Sequence, residues 1–171
     1  MKGPLLLAFL IVATGAWPQA GGDTVDVLSF PGGELRITFI GHGTLMLDWK
    51  GWIVHVDPVG READYSKQPK ADLVLVTHEH SDHLDAQAVA QIRKEGTRVL
   101  ANQAAAKALP GAEALRNGES KTVGGVKIEA VAAYNTTAGR DRYHPKGRDN
   151  GYVLDFDGRR VYIAGDTEVT P

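Results

Sequence analysis

The run Thr77-His78-Glu79-His80-Ser81-Asp82-His83 constrains this chain more than any other segment. It places three imidazoles and an aspartate within six residues, directly after the apolar stretch Ala71-Asp72-Leu73-Val74-Leu75-Val76. A short apolar, branched run of this kind predicts a buried strand. The polar cluster therefore begins where a rigid element ends, which is where precise sites are best built. Crowding such side chains together is costly unless something holds them, and a metal does. Neutral histidine and ionised aspartate are good ligands for a borderline cation such as zinc. The chain contains no cysteine, so disulfides and thiolate sites are excluded and any metal site must use His, Asp and Glu.

The rest of the sequence fits one globular domain. Its 171 residues leave room for a proper core, at 43% hydrophobic and 23% charged residues. A formal net charge of -2 gives no footprint for nucleic acid or an anionic membrane surface. Residues 1–20 are expected to lie outside the fold. Lys2 supplies a positive start, Leu5 to Ala16 is apolar, and Ala16-Trp17-Pro18-Gln19-Ala20 offers small residues for cleavage. That is the layout of a secretory signal peptide, implying a periplasmic or secreted protein. The apolar stretch is short for a membrane span, and an uncleaved anchor is the alternative. Residues 21–33 are expected to be a linker and 34–171 the domain.

Within the domain, Leu35 to Ile40, Thr44 to Trp49 and Trp52 to Val56 predict consecutive antiparallel strands around Gly41-His42-Gly43 and Lys50-Gly51. Asp57-Pro58 ends the third of these, and residues 60–70 are expected to be an exposed polar loop. Beyond the histidine cluster the period changes. Leu84, Ala88, Val89 and Ile92 share one helical face, with Asp85 as cap and Gly96 as stop. Arg98 to Ala101 predicts a strand and Gln103 to Leu109 a short helix. Strands return at Lys121 to Val123, Val126 to Ala132, Tyr152 to Phe156 and Arg160 to Ala164, with Asp157-Gly158 as a hairpin turn. Strands, a β-α-β-α unit and strands again predict an α/β (α+β) architecture of face-to-face sheets with helices outside.

On these residues the chain resembles the metallo-β-lactamase-fold hydrolases, an αββα superfamily whose signature is His-x-His-x-Asp-His. His78-Glu79-His80-Ser81-Asp82-His83 matches it in full. Asp57, ahead of the motif, and Gly165-Asp166-Thr167, after the last strand, match two further stations in the expected order. Gly41-His42-Gly43-Thr44 is similar to the lactonase-like and UPF-type branch rather than the antibiotic-degrading enzymes.

The resemblance implies two zinc ions. His78 and His80 would hold the first, Asp82 and His83 the second, and Asp166 would bridge them. A hydroxide between the ions would be the nucleophile, with Asp82 also orienting it as a catalytic residue. Many members carry a third histidine for the first ion at the end of the strand that corresponds to Val126 to Ala133. Here the sequence reads Ala133-Tyr134-Asn135, so His144 is the candidate third ligand, against the alternative of a surface histidine beside Pro145. The family also continues past Gly-Asp-Thr to a final histidine of the second site. None follows Asp166 in this sequence, so the expectation is a sandwich incomplete at its C-terminus, with one ion if the second site is incomplete.

Weaker features remain open. His42 could contact the site or simply occupy a turn. His55 reads as a hydrogen-bonded core residue, and Glu79 as structural. Arg140, Arg142, Lys146 and Arg148 make the His144 loop basic, which could attract an anionic small-molecule substrate or merely face solvent. Three functional classes follow: a zinc hydrolase of an ester, lactone or phosphodiester, an iron-using redox relative disfavoured by His80, and a non-catalytic or degenerate metal-binding domain.

Overall fold

Tight turns fold the first half of the chain back and forth on itself. The computed structural model describes residues 24–170, so the leader expected over residues 1–20 lies outside the described residues. Strands β1 (Thr24–Phe30), β2 (Gly33–Gly41), β3 (Thr44–Trp49) and β4 (Trp52–Val56) are consecutive antiparallel neighbours. At the β3–β4 turn, Lys50 and Gly51 take φ of 57° and 85°, the left-handed pair that a two-residue hairpin needs. The chain then changes mode. Strands β5 (Leu73–Val76), β6 (Arg98–Ala101) and β7 (Glu113–Ala114) add in parallel beyond β4, with helices α1 (Ala86–Ile92) and α2 (Gln103–Ala108) in the connections. The product is a seven-stranded sheet ordered β1 to β7.

The second half builds a separate antiparallel sheet. Strands β8 (Ser120–Val123), β9 (Val126–Ala133), β10 (Asp149–Phe156) and β11 (Arg159–Ile163) pair in the order β11-β10-β9-β8. Alternation decides which faces meet. Leu73, Leu75 and Leu100 of the first sheet join Ile128, Ala130, Tyr152, Leu154 and Phe156 of the second in the core between the sheets. Val74, Val76, Val99 and Ala101 point the other way and are covered by Ala88, Val89 and Ile92 of α1 and Ala105 of α2. The layered α/β sandwich expected from the sequence is therefore present, and among the described residues both helices lie on the seven-stranded sheet.

Several expectations need correction. Residues 21–33 are not all linker, because Thr24–Phe30 pairs with β2 along its whole length from Thr24↔Phe39 to Phe30↔Gly33. Backbone pairing makes this edge strand although Val25 and Val27 stay exposed. Gly96 does not end α1; the helix stops at Ile92, and Gly96 turns the chain into β6 at φ 83°. The 60–70 segment is irregular but anchored, since Tyr65 is fully buried with its ring 5.8 Å from that of His55. His55 itself bonds the Pro69 carbonyl at 3.0 Å, the core role read from its strand position.

The two sheets are stitched together beside the end of β5. The Asn150 N–H donates to Thr77 O at 3.0 Å, and the Tyr152 hydroxyl donates to Val76 O at 2.8 Å. The histidine run thus starts at the seam between the sheets.

Candidate metal centre

β5 ends at Val76, and the chain turns over the next residues, with the N–H groups of His83 and Leu84 both donating to His80 O at 2.9 Å. His78 and His80 converge where the chain bends just past the end of β5. Their ring centroids are 4.6 Å apart. Beneath the turn lies Asp57, buried at the end of β4 in a left-handed conformation (φ 45°). Its carboxylate accepts from the Thr77 N–H at 2.7 Å, from Thr77 Oγ1 at 2.7 Å and from His83 Nδ1 at 2.8 Å.

These bonds dictate which nitrogen each ring presents. The single hydroxyl proton of Thr77 goes to Asp57, so Thr77 Oγ1 can only accept from His78 Nδ1, 2.9 Å away. His78 Nε2 is then a bare lone pair. His83 Nδ1 likewise donates to Asp57, and His144 Nδ1 donates to Asp149 Oδ2 at 2.9 Å. All three imidazoles turn Nε2 toward the same space. His78 Nε2 is buried there without any hydrogen-bond partner, and buried His83 Nε2 faces only Asp166 Oδ1, 3.2 Å away. Leaving a buried acceptor such as His78 Nε2 unpaired costs free energy, and a carboxylate or hydroxyl holding the far nitrogen is how ligating histidines are usually oriented. The donor set fits a metal.

The second sheet supplies the other side. His144, in the β9–β10 connection, is only 8% exposed, which excludes the surface-histidine alternative. Its ring lies 5.0 Å from that of His78 and 4.9 Å from that of His80. Asp166 follows β11, where Gly165 (φ 64°) lets the chain pass against Thr77: an added Cβ would sit 2.9 Å from Asn150 O and 3.2 Å from Thr77 Cβ. Asp166 reaches both halves, with Oδ1 3.2 Å from His83 Nε2 and Oδ2 3.4 Å from His144 Nε2. Three donor groups result, each with its atoms within 4.8 Å of one another: His78, His80 and His144; His78, His83 and Asp166; and His42, Asp82 and His83.

Proximity sets the charge states. Burial, reinforced by neighbouring His83, pulls the pKa of His78 down to about 4 and keeps it neutral. Burial also opposes a charge on His83, but the carboxylates of Asp166 and Asp57 outweigh it and lift that pKa to about 10. The same contact with His83 holds Asp166 down at about 2. Burial pushes Asp57 up, against its bonds to His83 and Thr77. In the metal-free cluster a proton on His83 offsets the negative charge that a cation would otherwise neutralise.

The sequence points to His78, His80, Asp82, His83, His144 and Asp166; the structure brings five of these together in the cluster and places Asp82 at its exposed edge, grouped with His42 and His83. Sequence reasoning missed Asp149, a fully buried carboxylate that fixes His144 and accepts from Arg148 Nε at 2.7 Å. Only the five-residue spacing from His144 to the head of a strand could have flagged it. The basic loop is largely satisfied internally: Arg148 serves Asp149, and Arg140 lies 3.3 Å from Glu168. Glu79 accepts from Asn102 Nδ2 at 3.3 Å and takes the structural role expected of it.

Comparison with known proteins identifies the family. The family described as the Beta-lactamase superfamily domain matches residues 36–171. The chain is 31% identical over 144 residues to a UPF0173 metal-dependent hydrolase of Thermococcus kodakarensis, covering 79% of this chain and 62% of that protein. It is 52% identical, with a TM-score of 0.85, to a crystal structure from Parabacteroides distasonis assigned as a candidate metal-dependent hydrolase, covering 88% of this chain and 69% of that one. The metallo-β-lactamase fold protein YhfI of Bacillus subtilis shares the fold at 13% identity and a TM-score of 0.54, covering 74% of this chain and 55% of that one. The chain thus spans less than two thirds of the length of the curated relative from Thermococcus.

Proposed function

The chain belongs to the β-lactamase superfamily, matching it over residues 36–171, and from that premise we propose that it is a zinc-dependent hydrolase cleaving an ester, lactone or phosphodiester. In this reading His78, His80 and His144 would hold one ion, Asp82 and His83 would hold a second, and Asp166 would serve both. The observation that carries it is the buried, unpartnered His78 Nε2, turned by Thr77 and Asp57 toward the same space as His83 Nε2 and Asp166. Bound zinc supplies a water acidified to a pKa of about 7 and a Lewis acid for the substrate oxygen.

The chain's own residues do the rest. Asp57 and Asp149 lock the rings of His83 and His144, so no free energy is spent orienting them during the reaction. Asp82 is 37% exposed at the mouth of the cluster. There its carboxylate would orient the attacking water. A small-molecule substrate would approach from this open side, and any preference for an anion would come from Arg142 and Lys146 on the neighbouring loop.

Metal analysis with hydrolysis assays on bis-p-nitrophenyl phosphate and simple lactones tests the reading. The expected result is zinc at about one equivalent or more per chain, with turnover abolished in His80→Ala. Metal retained without turnover of either substrate class would favour a non-catalytic metal-binding domain. Protein that takes up no transition metal at neutral pH would remove the basis of the reading.

A further inference from the structure

The β2–β3 turn is built at some conformational cost. His42 sits at φ 49°, a region L-residues avoid and where glycine or asparagine would serve a turn better. Its neighbour Gly43 lies directly on the His83 imidazole: an added Cβ would be 2.7 Å from His83 Cε1 and 3.1 Å from Nδ1. Two hydrogen bonds tie this turn to the same ring. Thr44 Oγ1 donates to Asp57 O at 2.7 Å, and Asp57 Oδ2 accepts from His83 Nδ1 at 2.8 Å. The turn and His83 therefore share one frame, and that frame aims His42 at the cluster. Its ring meets the His83 ring edge-on at 5.1 Å, and its Nε2 lies 3.2 Å from Asp82 Oδ2.

We infer that His42 Nε2 is a protein ligand of the second metal position, alongside Asp82 and His83. The inference rests on the two-ion reading of the centre given above. A tetrahedral zinc with bonds of about 2.0–2.1 Å holds its donors about 3.4 Å apart. The His42–Asp82 pair already stands at 3.2 Å, and all three donors lie within 4.8 Å of one another. The outward-facing position is thereby given a third donor by the β2–β3 hairpin.

Zinc titration by calorimetry, with cobalt(II) absorption to count imidazoles, tests it in three proteins. His42→Gly removes the ring and relieves the left-handed strain. His42→Gln keeps a side-chain N–H for Asp82 but is a poor ligand. Wild type is expected to bind two equivalents. Both variants should keep the first equivalent and weaken the second by more than about 100-fold, above the usual cost of losing a group that only orients a ligand. Unchanged stoichiometry and affinity in His42→Gly would overturn the role of His42 while leaving the metal centre standing. Recovery of the second equivalent in His42→Gln would also overturn it, showing that His42 only hydrogen-bonds Asp82. Wild type that binds no metal would instead defeat the underlying two-ion reading.

Discussion

His83 is the residue on which the electrostatics of the centre turn. In the metal-free protein its pKa is lifted to about 10, against an ordinary value near 6.5, by Asp166 and Asp57 acting against burial. A group raised in the folded state stabilises fully below its unfolded pKa and loses that contribution as pH climbs through the folded value. The metal-free protein should therefore lose melting temperature between about pH 6.5 and 10 through this group. Zinc competes with the same proton, so its affinity should rise over the same interval. Calorimetry in buffers of different ionisation enthalpy should detect about one proton released as the His83 ligand is taken up. Flat zinc affinity across that interval would show that His83 Nε2 is not where the metal binds. At this scale the sequence was informative where spacing carries chemistry, as in His78-x-His80-x-Asp82-His83. It marked Asp57 by position but not as the anchor of His83, and was silent about Asp149, because their partners are chosen by the packing of separate elements. Asp57 lies 26 positions from His83, and no local pattern announces that contact.

Elements were legible where burial imposes a period. β3 and β4 occupy the residues expected for them, and so does β6, because alternating or continuous apolar runs ended by glycine turns leave little choice. β1 was not legible, since Val25 and Val27 are exposed and only Leu28 and Phe30 at its end pack on the core, the ladder to β2 holding the rest. The two-residue β7 is too short to carry any pattern. The α1 cap shows how an element can be separated from the site it supports. Asp85 Oδ1 accepts from the N–H groups of Gln87 and Ala88, at 2.9 and 3.2 Å, and Oδ2 accepts from Gly60 at 2.9 Å. Asp85→Ala should cost about 1 kcal/mol, or roughly 2–4 °C in melting temperature for a chain of this size. Metal stoichiometry should not change. Loss of metal in that variant would mean that α1 positions the ligands directly, contrary to the frame described through Asp57.

The whole molecule works as a clamp closed at one seam. The first sheet contributes His78, His80, Asp82 and His83 just past β5, and the second contributes His144 and Asp166 from the ends of β9–β10 and β11. Main-chain and tyrosine hydrogen bonds join the sheets beside that point, so ligand convergence follows from sheet packing and not from any single loop. The motif order made the family legible, but this meeting of distant segments could be seen only once the sheets were in place. Anomalous diffraction at the zinc edge from crystals grown with zinc would examine that convergence directly. The predicted result is a peak within about 2.0–2.1 Å of the Nε2 atoms of His78, His80 and His144, with a second beside Asp82 and His83 and Asp166 between the two. Full-occupancy zinc bound elsewhere, with these imidazoles left uncoordinated, would contradict it.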